Sequence, residues 1–436
     1  MIPELSKLFK NKQPSAIRLA QIEFTKRYDN VKVIDVAIGN VSLPMHPLMI
    51  KRFREINEYS SPFKEGIVKY TTTVGLAETN RAFLNIIGSS DLDTSKLYSQ
   101  ITDGASAAME LVILGVGGEP GKKEKPILLI DASYTNYKSL AKRVGRYTIS
   151  TTRQLGNDGK FTLPDLNEIE RKIIENKPSA LIVIPYDNPT GHFYTHEVMI
   201  SLAKLCVKHN LWFISDEAYR ELFYLNEKTS SIWGINEEEV PGISGRRISL
   251  ESSSKVWNAC GLRIGALVTD NYEFHKKAVA EYTANLCSSA IGQYVFGALA
   301  HASKEELNQW YSQQREYYQN LMEKTTAELK RELPELIVSS PDSSIYSVVD
   351  IRNIDPNFNS KDFVLYCSRE GKVMLNGEDT TLLIAPMDEF YHVEENEKNP
   401  GNTQMRIAYV AMPEEMDKVP ILFSTLLKKY LVSKER

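Results

Sequence analysis

A chain of 436 residues is long for one domain but comfortable for a large and a small domain sharing a core. At 42% hydrophobic and 25% charged its composition is that of an ordinary soluble globular protein, and a net charge of −4 gives no reason to expect nucleic acid or an anionic membrane as partner. No run approaches the roughly 18 apolar residues that span a bilayer, and the opening MIPELSKLFKNKQ lacks the apolar stretch of a signal peptide, so a cytoplasmic location is expected. Cys206, Cys260, Cys287 and Cys367 lie far apart with no CxxC spacing, which points to core packing rather than a zinc site or disulfide framework.

In chain order, a helical start leads into VKVIDVAIGN (31–40), a short strand running into Gly39, which reads as a turn glycine. KYTTTVGLAETNRAF (69–83) is a threonine-rich run followed by a helix after Gly75, with Tyr70 reading as a half-buried packing residue. SQITDGASAAMELVILGV (99–116) reads as strand, Gly-containing turn and helix, so the backbone N–H groups of Gly104, Ala105 and Ser106 form a helix start able to hold an anion. The same residues also fit a simpler reading, in which Asp103 or Ser106 caps the helix.

From residue 126 onward the apolar runs PILLID, SALIVIPY, LWFISDEAY, RISLESSS and IGALVT alternate with amphipathic stretches such as EVMISLAKLCVKH (197–209). Continuous rather than alternating hydrophobicity predicts strands buried on both faces, hence a mostly parallel α/β sheet with its site in loops at strand ends. Polar residues of interest follow those strands: Tyr134 and Tyr137 in DASYTNY, Asn188 in YDNPTGHF, Asp216 and Tyr219 in SDEAYREL, and Ser252, Ser254 and Lys255 in SSSKVWNACGLRIG. Each has a plain reading: packing tyrosines, a Pro-set turn, a helix N-cap, and a lysine keeping a strand edge soluble. Two motif-like stretches fail, since Val116 and Pro120 break both glycine fingerprints in GVGGEPGKK (115–123), and Ile200 replaces the second histidine of an HExxH in THEVMI (195–200).

Lys255 is the residue that changes these readings. A lysine amine becomes a nucleophile when desolvation or a neighbouring cation lowers its pKa, and hydroxyls with an arginine nearby are suited to holding a phosphate. Small residues, Lys255, then Arg263 eight positions on resemble the lysine signature of class I/II aminotransferases, with Ser253 departing where an apolar residue or Thr is usual. The resemblance spans roughly residues 33 to 412. It implies a pyridoxal 5'-phosphate enzyme of fold type I, with a large domain built on a mostly parallel sheet flanked by helices and a smaller α+β domain from both chain ends. The expected boundaries are residues 1–60 and 301–436 for the small domain and 61–300 for the large one.

By the same resemblance Lys255 forms the Schiff base and shuttles the proton, Asp216 pairs with the pyridine nitrogen, and Asn188 and Tyr219 hold the phenolic oxygen. Tyr134 covers the ring, Tyr137 being left to packing, and Gly104, Ala105, Ser106, Ser252, Ser254 and Arg263 bind phosphate. Tyr70 reaches the neighbouring subunit's phosphate in a homodimer with shared sites. Gly39 and Arg406 face the substrate carboxylate, although Asn40 departs from the acidic residue or glutamine common beside that glycine. The implied reaction moves an amino group between an L-amino acid and a 2-oxo acid. The alternatives are another enzyme of this fold, such as a lyase, decarboxylase or synthase, and a non-catalytic cofactor-sensing domain, for which the 30 or so residues before the first strand are too few to hold a DNA-binding domain. Aspartate-type relatives carry an arginine about 34 residues after the lysine, yet the window 281–301 here contains neither Arg nor Lys. Neutral or aromatic amino acids are therefore expected to serve at least as well as aspartate, because an unpaired buried carboxylate costs several kcal/mol or more.

Overall fold

The computed structural model of the protein describes residues 3–163, 165–393 and 397–434. The chain divides into two compact units, the larger Asn40–Met322 with Ser339–Ser347, the smaller Met1–Gly39, Glu323–Val338 and Val348–Arg436. Both boundaries differ from those expected at 60 and 300. Residues 40–60 go with the larger unit because helix Pro47–Arg54 packs on helix Ala290–Gly297. The first turns of helix Lys304–Glu332 join it as well, through Trp310, whose Nε1 donates to Val256 O at 2.8 Å.

The larger unit holds a seven-stranded sheet. Its strands are β1 (Tyr98–Thr102), β2 (Ile127–Asp131), β3 (Thr148–Thr152), β4 (Ala180–Val183), β5 (Trp212–Asp216), β6 (Arg247–Ser252) and β7 (Gly265–Thr269). Their order across the sheet is β1-β7-β6-β5-β4-β2-β3. The five strands from β6 to β3 pair in parallel, while β7 runs antiparallel to both β6 and β1. Every residue of β2, β4 and β7 is buried, which is why their sequences read as unbroken apolar runs rather than alternating ones. Truncating a side chain such as Phe213, fully buried in β5, is expected to cost about 3–5 kcal/mol.

Four helices in this unit show how local chemistry sets element ends. Helix α1 (Gly104–Val116) follows β1, and α2 (Thr135–Arg143) follows β2. Helix α3 (Leu166–Asn176) begins where the Asp165 carboxylate accepts from Asn167 N and Glu168 N, and stops at Lys177, which adopts a left-handed φ of 48°. Helix α4 (His196–Lys208) explains the THEVMI stretch: Thr195 caps it by accepting from Val198 N, and Glu197 sits in its first turn, where a negative charge complements the helix dipole.

The smaller unit has two sheets. In one, Lys32–Asp35 pairs in parallel with Glu378–Leu383, which pairs antiparallel with Val373–Leu375. The other runs Ala385–Pro386, Gln404–Ala408, Tyr346–Asp350 and Ile337–Val338. The α+β character expected of the chain ends is thus observed. Among the described residues Cys206 and Cys367 are buried as expected, whereas Cys260 and Cys287 are only half-buried. No helix among those residues is long and apolar enough to cross a membrane.

Candidate active site

The residues singled out after the parallel strands converge at one end of the larger sheet, because parallel strands deliver their C-terminal loops to a common edge. Tyr134 follows β2, Asn188 follows β4, Asp216 ends β5, Ser252 ends β6 and Lys255 lies three residues beyond it. Asp216 and Leu250 are register partners across β5 and β6, so the carboxylate and the lysine are carried by adjacent strands.

Asp216 is buried, and its surroundings determine its state. Tyr137 Oη donates to Oδ2 at 2.6 Å and Ala218 N to Oδ1 at 3.2 Å. Burial raises its pKa to about 6, against the lowering pull of those two donors. Tyr137 was read as packing; it is indeed 2% exposed, but its hydroxyl is a ligand of Asp216. Burial, with the Asp216 charge adding to it, holds the Tyr137 phenol protonated, so it remains a donor. Tyr134 stands edge-on to Tyr137, with ring centroids 5.5 Å apart, and its hydroxyl accepts from Asn136 Nδ2 at 2.8 Å.

Asn188 and Tyr219 meet across neighbouring loops, Asn188 Nδ2 donating to Tyr219 Oη at 3.3 Å. A third group joins them that the sequence reading missed: Tyr346 Oη lies 2.9 Å from Tyr219 Oη, and Tyr346 is 2% exposed. The turn carrying Asn188 is fastened by Asp187, which accepts from Arg153 Nη2 at 2.9 Å and from Thr190 N at 3.2 Å. Arg153 Nη2 also donates to Ala132 O at 3.0 Å, so this one buried guanidinium ties the Tyr134 loop to the Asn188 loop.

The start of α1 is arranged differently. Asp103 occupies the N-cap position but makes no cap bond with its side chain. Its carboxylate accepts instead from Tyr282 Oη at 2.9 Å, while the Asp103 N–H donates to that same hydroxyl at 3.0 Å. The simple capping reading of Asp103 therefore does not hold, and the first amides of the helix are left without a side-chain cap. Gly104 has φ +73°, and a Cβ there would lie 2.4 Å from Arg263 Nη2, so the guanidinium is set against the helix start and only glycine fits. Arg263 itself holds φ 52° and donates to Cys260 O at 3.1 Å. On the lysine strand, Ser252 Oγ accepts from Ser254 N at 3.1 Å, which shapes the turn before Lys255, a half-buried residue.

The donor set at this edge has two poles about one lysine. Uncapped helix amides with an arginine suit a phosphate, and a buried carboxylate near neutral pKa suits a protonated ring nitrogen. Pyridoxal phosphate carries both groups, and the residues present fit it. Three expected residues belong to other parts of the chain. Tyr70 is 79% exposed in a coil segment of the larger unit. Arg406 lies in the smaller unit, 4% exposed opposite Ala385, where Nη2 donates to Ala37 O at 2.7 Å and the guanidinium sits 5.2 Å from the Phe390 ring centre; Gly39 is buried in that unit as well.

A mostly parallel sheet with a strand-end lysine, a buried carboxylate and an uncapped helix start defines a pyridoxal-phosphate enzyme of fold type I. Residues 31–415 match the family described as aminotransferase class I and II, and the chain belongs to that family of pyridoxal-phosphate-dependent transaminases. Among curated relatives, aromatic-amino-acid aminotransferase 2 of Thermococcus litoralis is 23% identical over 416 residues, 93% of this chain and 96% of that protein. Cystathionine beta-lyase PatB of Bacillus subtilis is 22% identical over 228 residues, 52% of this chain and 56% of the relative, little more than half its length. Among solved structures, N-succinyldiaminopimelate aminotransferase from Mycobacterium tuberculosis superimposes with a TM-score of 0.79 at 20% identity, covering 97% of this chain and all of that one.

Proposed function

We propose that this aminotransferase moves the amino group of a neutral or aromatic L-amino acid to a 2-oxo acid, with Lys255 as the residue that carries the cofactor and the proton. The observation that carries this reading is the pairing of β5 and β6, which brings a buried carboxylate and a strand-end lysine to one edge of the sheet. When bound, pyridoxal phosphate supplies an electron sink for the substrate carbon. Lys255 Nζ takes the proton from the substrate α-carbon and returns it beyond the transferred nitrogen, acting as general base and then general acid. Asp216 holds the pyridine nitrogen protonated, and Asn188 and Tyr219 hydrogen-bond the phenolic oxygen. Tyr134 covers the ring. Gly104, Ala105, Ser106, Ser252, Ser254 and Arg263 hold the phosphate. Arg406 pairs with the substrate carboxylate beside Gly39, which fixes the α C–H bond in the orientation that breaks.

The active unit in this proposal is a cytoplasmic homodimer in which Tyr70 serves the partner's phosphate; its exposure in the single chain supports that role. The absence of any Arg or Lys from residues 281–301 supports neutral over dicarboxylic substrates, as does the relative named for aromatic amino acids over nearly its whole length. Borohydride reduction and peptide mapping should place a pyridoxyl group on Lys255, and label on another lysine would refute the assignment. A panel of amino acids assayed with 2-oxoglutarate and pyruvate tests the substrate. A kcat/KM for aspartate more than about a hundredfold above every neutral amino acid, roughly 2.7 kcal/mol, would overturn that part. The lyase alternative, to which the PatB similarity is relevant, predicts turnover with no oxo acid present.

A further inference from the structure

Behind the site lies a second, wholly buried charged cluster. Arg220 grips Glu251 with two bonds, Nε to Oε2 at 3.2 Å and Nη2 to Oε1 at 2.7 Å, and Nη2 also pairs with Glu217 Oε2. Its Nη1 donates to Ser231 Oγ at 3.2 Å. Glu217 accepts in addition from Ser215 Oγ at 3.0 Å, Ser231 Oγ at 2.8 Å and Ile232 N at 2.9 Å. Glu251 accepts from Ser249 Oγ at 2.7 Å, which itself accepts from Trp233 Nε1 at 2.9 Å. Glu217, Arg220 and Glu251 are 1%, 2% and 2% exposed.

Stability does not explain such a cluster. Desolvating three charges costs about as much as their attraction returns, and apolar residues of equal volume would pack as well. What the cluster supplies is position. Glu217 is the chain neighbour of Asp216, Arg220 of Tyr219, and Glu251 of Ser252. Along a strand, successive side chains point to opposite faces, so the Arg220 bridge from Glu217 to Glu251 behind the sheet fixes where Asp216 and Ser252 stand in front of it. The backbone ladder between the two strands ends with Glu217 N donating to Leu250 O at 2.9 Å; beyond it the chain at Arg220 turns away, while β6 runs on through Ser252.

We propose that Arg220 is a positioning residue, which locks the strand end bearing Asp216 and Tyr219 to the strand end bearing Lys255. The inference rests on the roles given above to Asp216 and Lys255. Burial would lower the Arg220 pKa, but the Glu217 and Glu251 charges outweigh it and keep the guanidinium charged. Only a guanidinium can bridge two carboxylates in this way; an ammonium is a point charge without a fork. Arg220→Lys therefore preserves the charge and breaks the bridge.

The test uses the cofactor-loaded enzyme. Arg220→Lys is expected to lower kcat about 10- to 100-fold, the scale of a misplacement of roughly 1 Å, with the amino-donor KM within about threefold of the parent. The visible circular dichroism of the bound cofactor, which reads the angle between lysine and ring, should change sign or fall by at least about half. Glu251→Gln, which keeps the volume and removes one arm of the bridge, should shift both readouts in the same direction by less. A lowered melting temperature with parental kcat and parental visible dichroism would make Arg220 a merely structural residue and overturn the proposal; should Arg220→Lys fail to fold, the same two readouts on Glu251→Gln decide it. Borohydride labelling of the unmutated enzyme separates the two levels, because label away from Lys255 refutes the site assignment itself.

Discussion

The two poles of the site solve opposite electrostatic problems by opposite means. At the proposed phosphate pole Ser106 and Arg263 are exposed, so the anion would be met by a helix start and a guanidinium at the water boundary. At the ring pole Asp216, Tyr137, Asn188 and Tyr219 are at most 8% exposed, and every polar group named is hydrogen-bonded to another side chain. A wet pole with strong fixed donors anchors; a dry pole sets protonation, because burial is the main cause that moves the Asp216 carboxyl up to a pKa of about 6. Binding and chemistry should therefore separate on mutation.

The largest effect is expected between the poles. Lys255→Ala should lower kcat by at least about 10⁴-fold, at the upper end of what a proton-transferring side chain contributes, while the phosphate pole still retains the cofactor non-covalently. Steady-state rates and a dialysis assay of cofactor content measure the two halves, and loss of both together would mean that anchoring and chemistry are not separable.

Asp216→Asn comes next, with kcat about 100- to 1000-fold lower at saturating cofactor. It also carries a pH signature in the cofactor-free protein. The folded carboxyl titrates near pH 6 rather than at its ordinary 3.8, so between those values the folded state keeps a proton that the unfolded chain has lost. Stability from this group therefore falls as pH rises through that window, by up to roughly 3 kcal/mol, and stays low above it. Asp216→Asn should then match the parent near pH 4 and exceed it at pH 8 in denaturant melts. Arg263→Ala, at the wet pole, should show no such crossover, and a crossover there would blur the distinction.

Arg263→Ala is instead expected to weaken cofactor affinity about 10- to 100-fold, the worth of a charge-assisted hydrogen bond or two, with kcat at saturating cofactor within about fivefold. Fluorescence titration measures it. The smallest effect belongs to Tyr137→Phe. It removes one 2.6 Å bond to Asp216 and nothing else of size, so kcat/KM should fall about 3- to 10-fold. A loss as large as that of Asp216→Asn would make the tyrosine an equal partner in setting the ring pole.

How far each pole could be read in advance follows from the range of its interactions. The phosphate pole is local: strand, Gly104 and helix are contiguous in SQITDGASAAMELVILGV, and a helix start offers its amides wherever it occurs. What that stretch could not reveal is that Asp103 fails to cap, since its partner Tyr282 lies 179 residues on. The ring pole is long-range. Tyr137 and Asp216 are 79 residues apart and Tyr219 and Tyr346 are 127 apart, and a tyrosine's own flanking residues do not say where its hydroxyl ends. Nothing in the sequence pairs Arg220 with Glu251, because charge in a sequence carries no sign of its burial or its partner.

The sequence by itself determined six of the seven strands of the larger sheet, all but Thr148–Thr152, the loops that follow them, and through motif spacing the candidate lysine, carboxylate and asparagine. Those are properties of short segments, where periodicity and backbone propensity act within a dozen residues. Tertiary structure alone decided which hydroxyls reach Asp216 and Tyr219, where the two units divide, and that two arginines, Arg153 and Arg220, fasten the site loops in pairs from within the core. Those depend on which strands become neighbours, and in a parallel sheet neighbours are set by crossovers of tens of residues, beyond the reach of any local pattern.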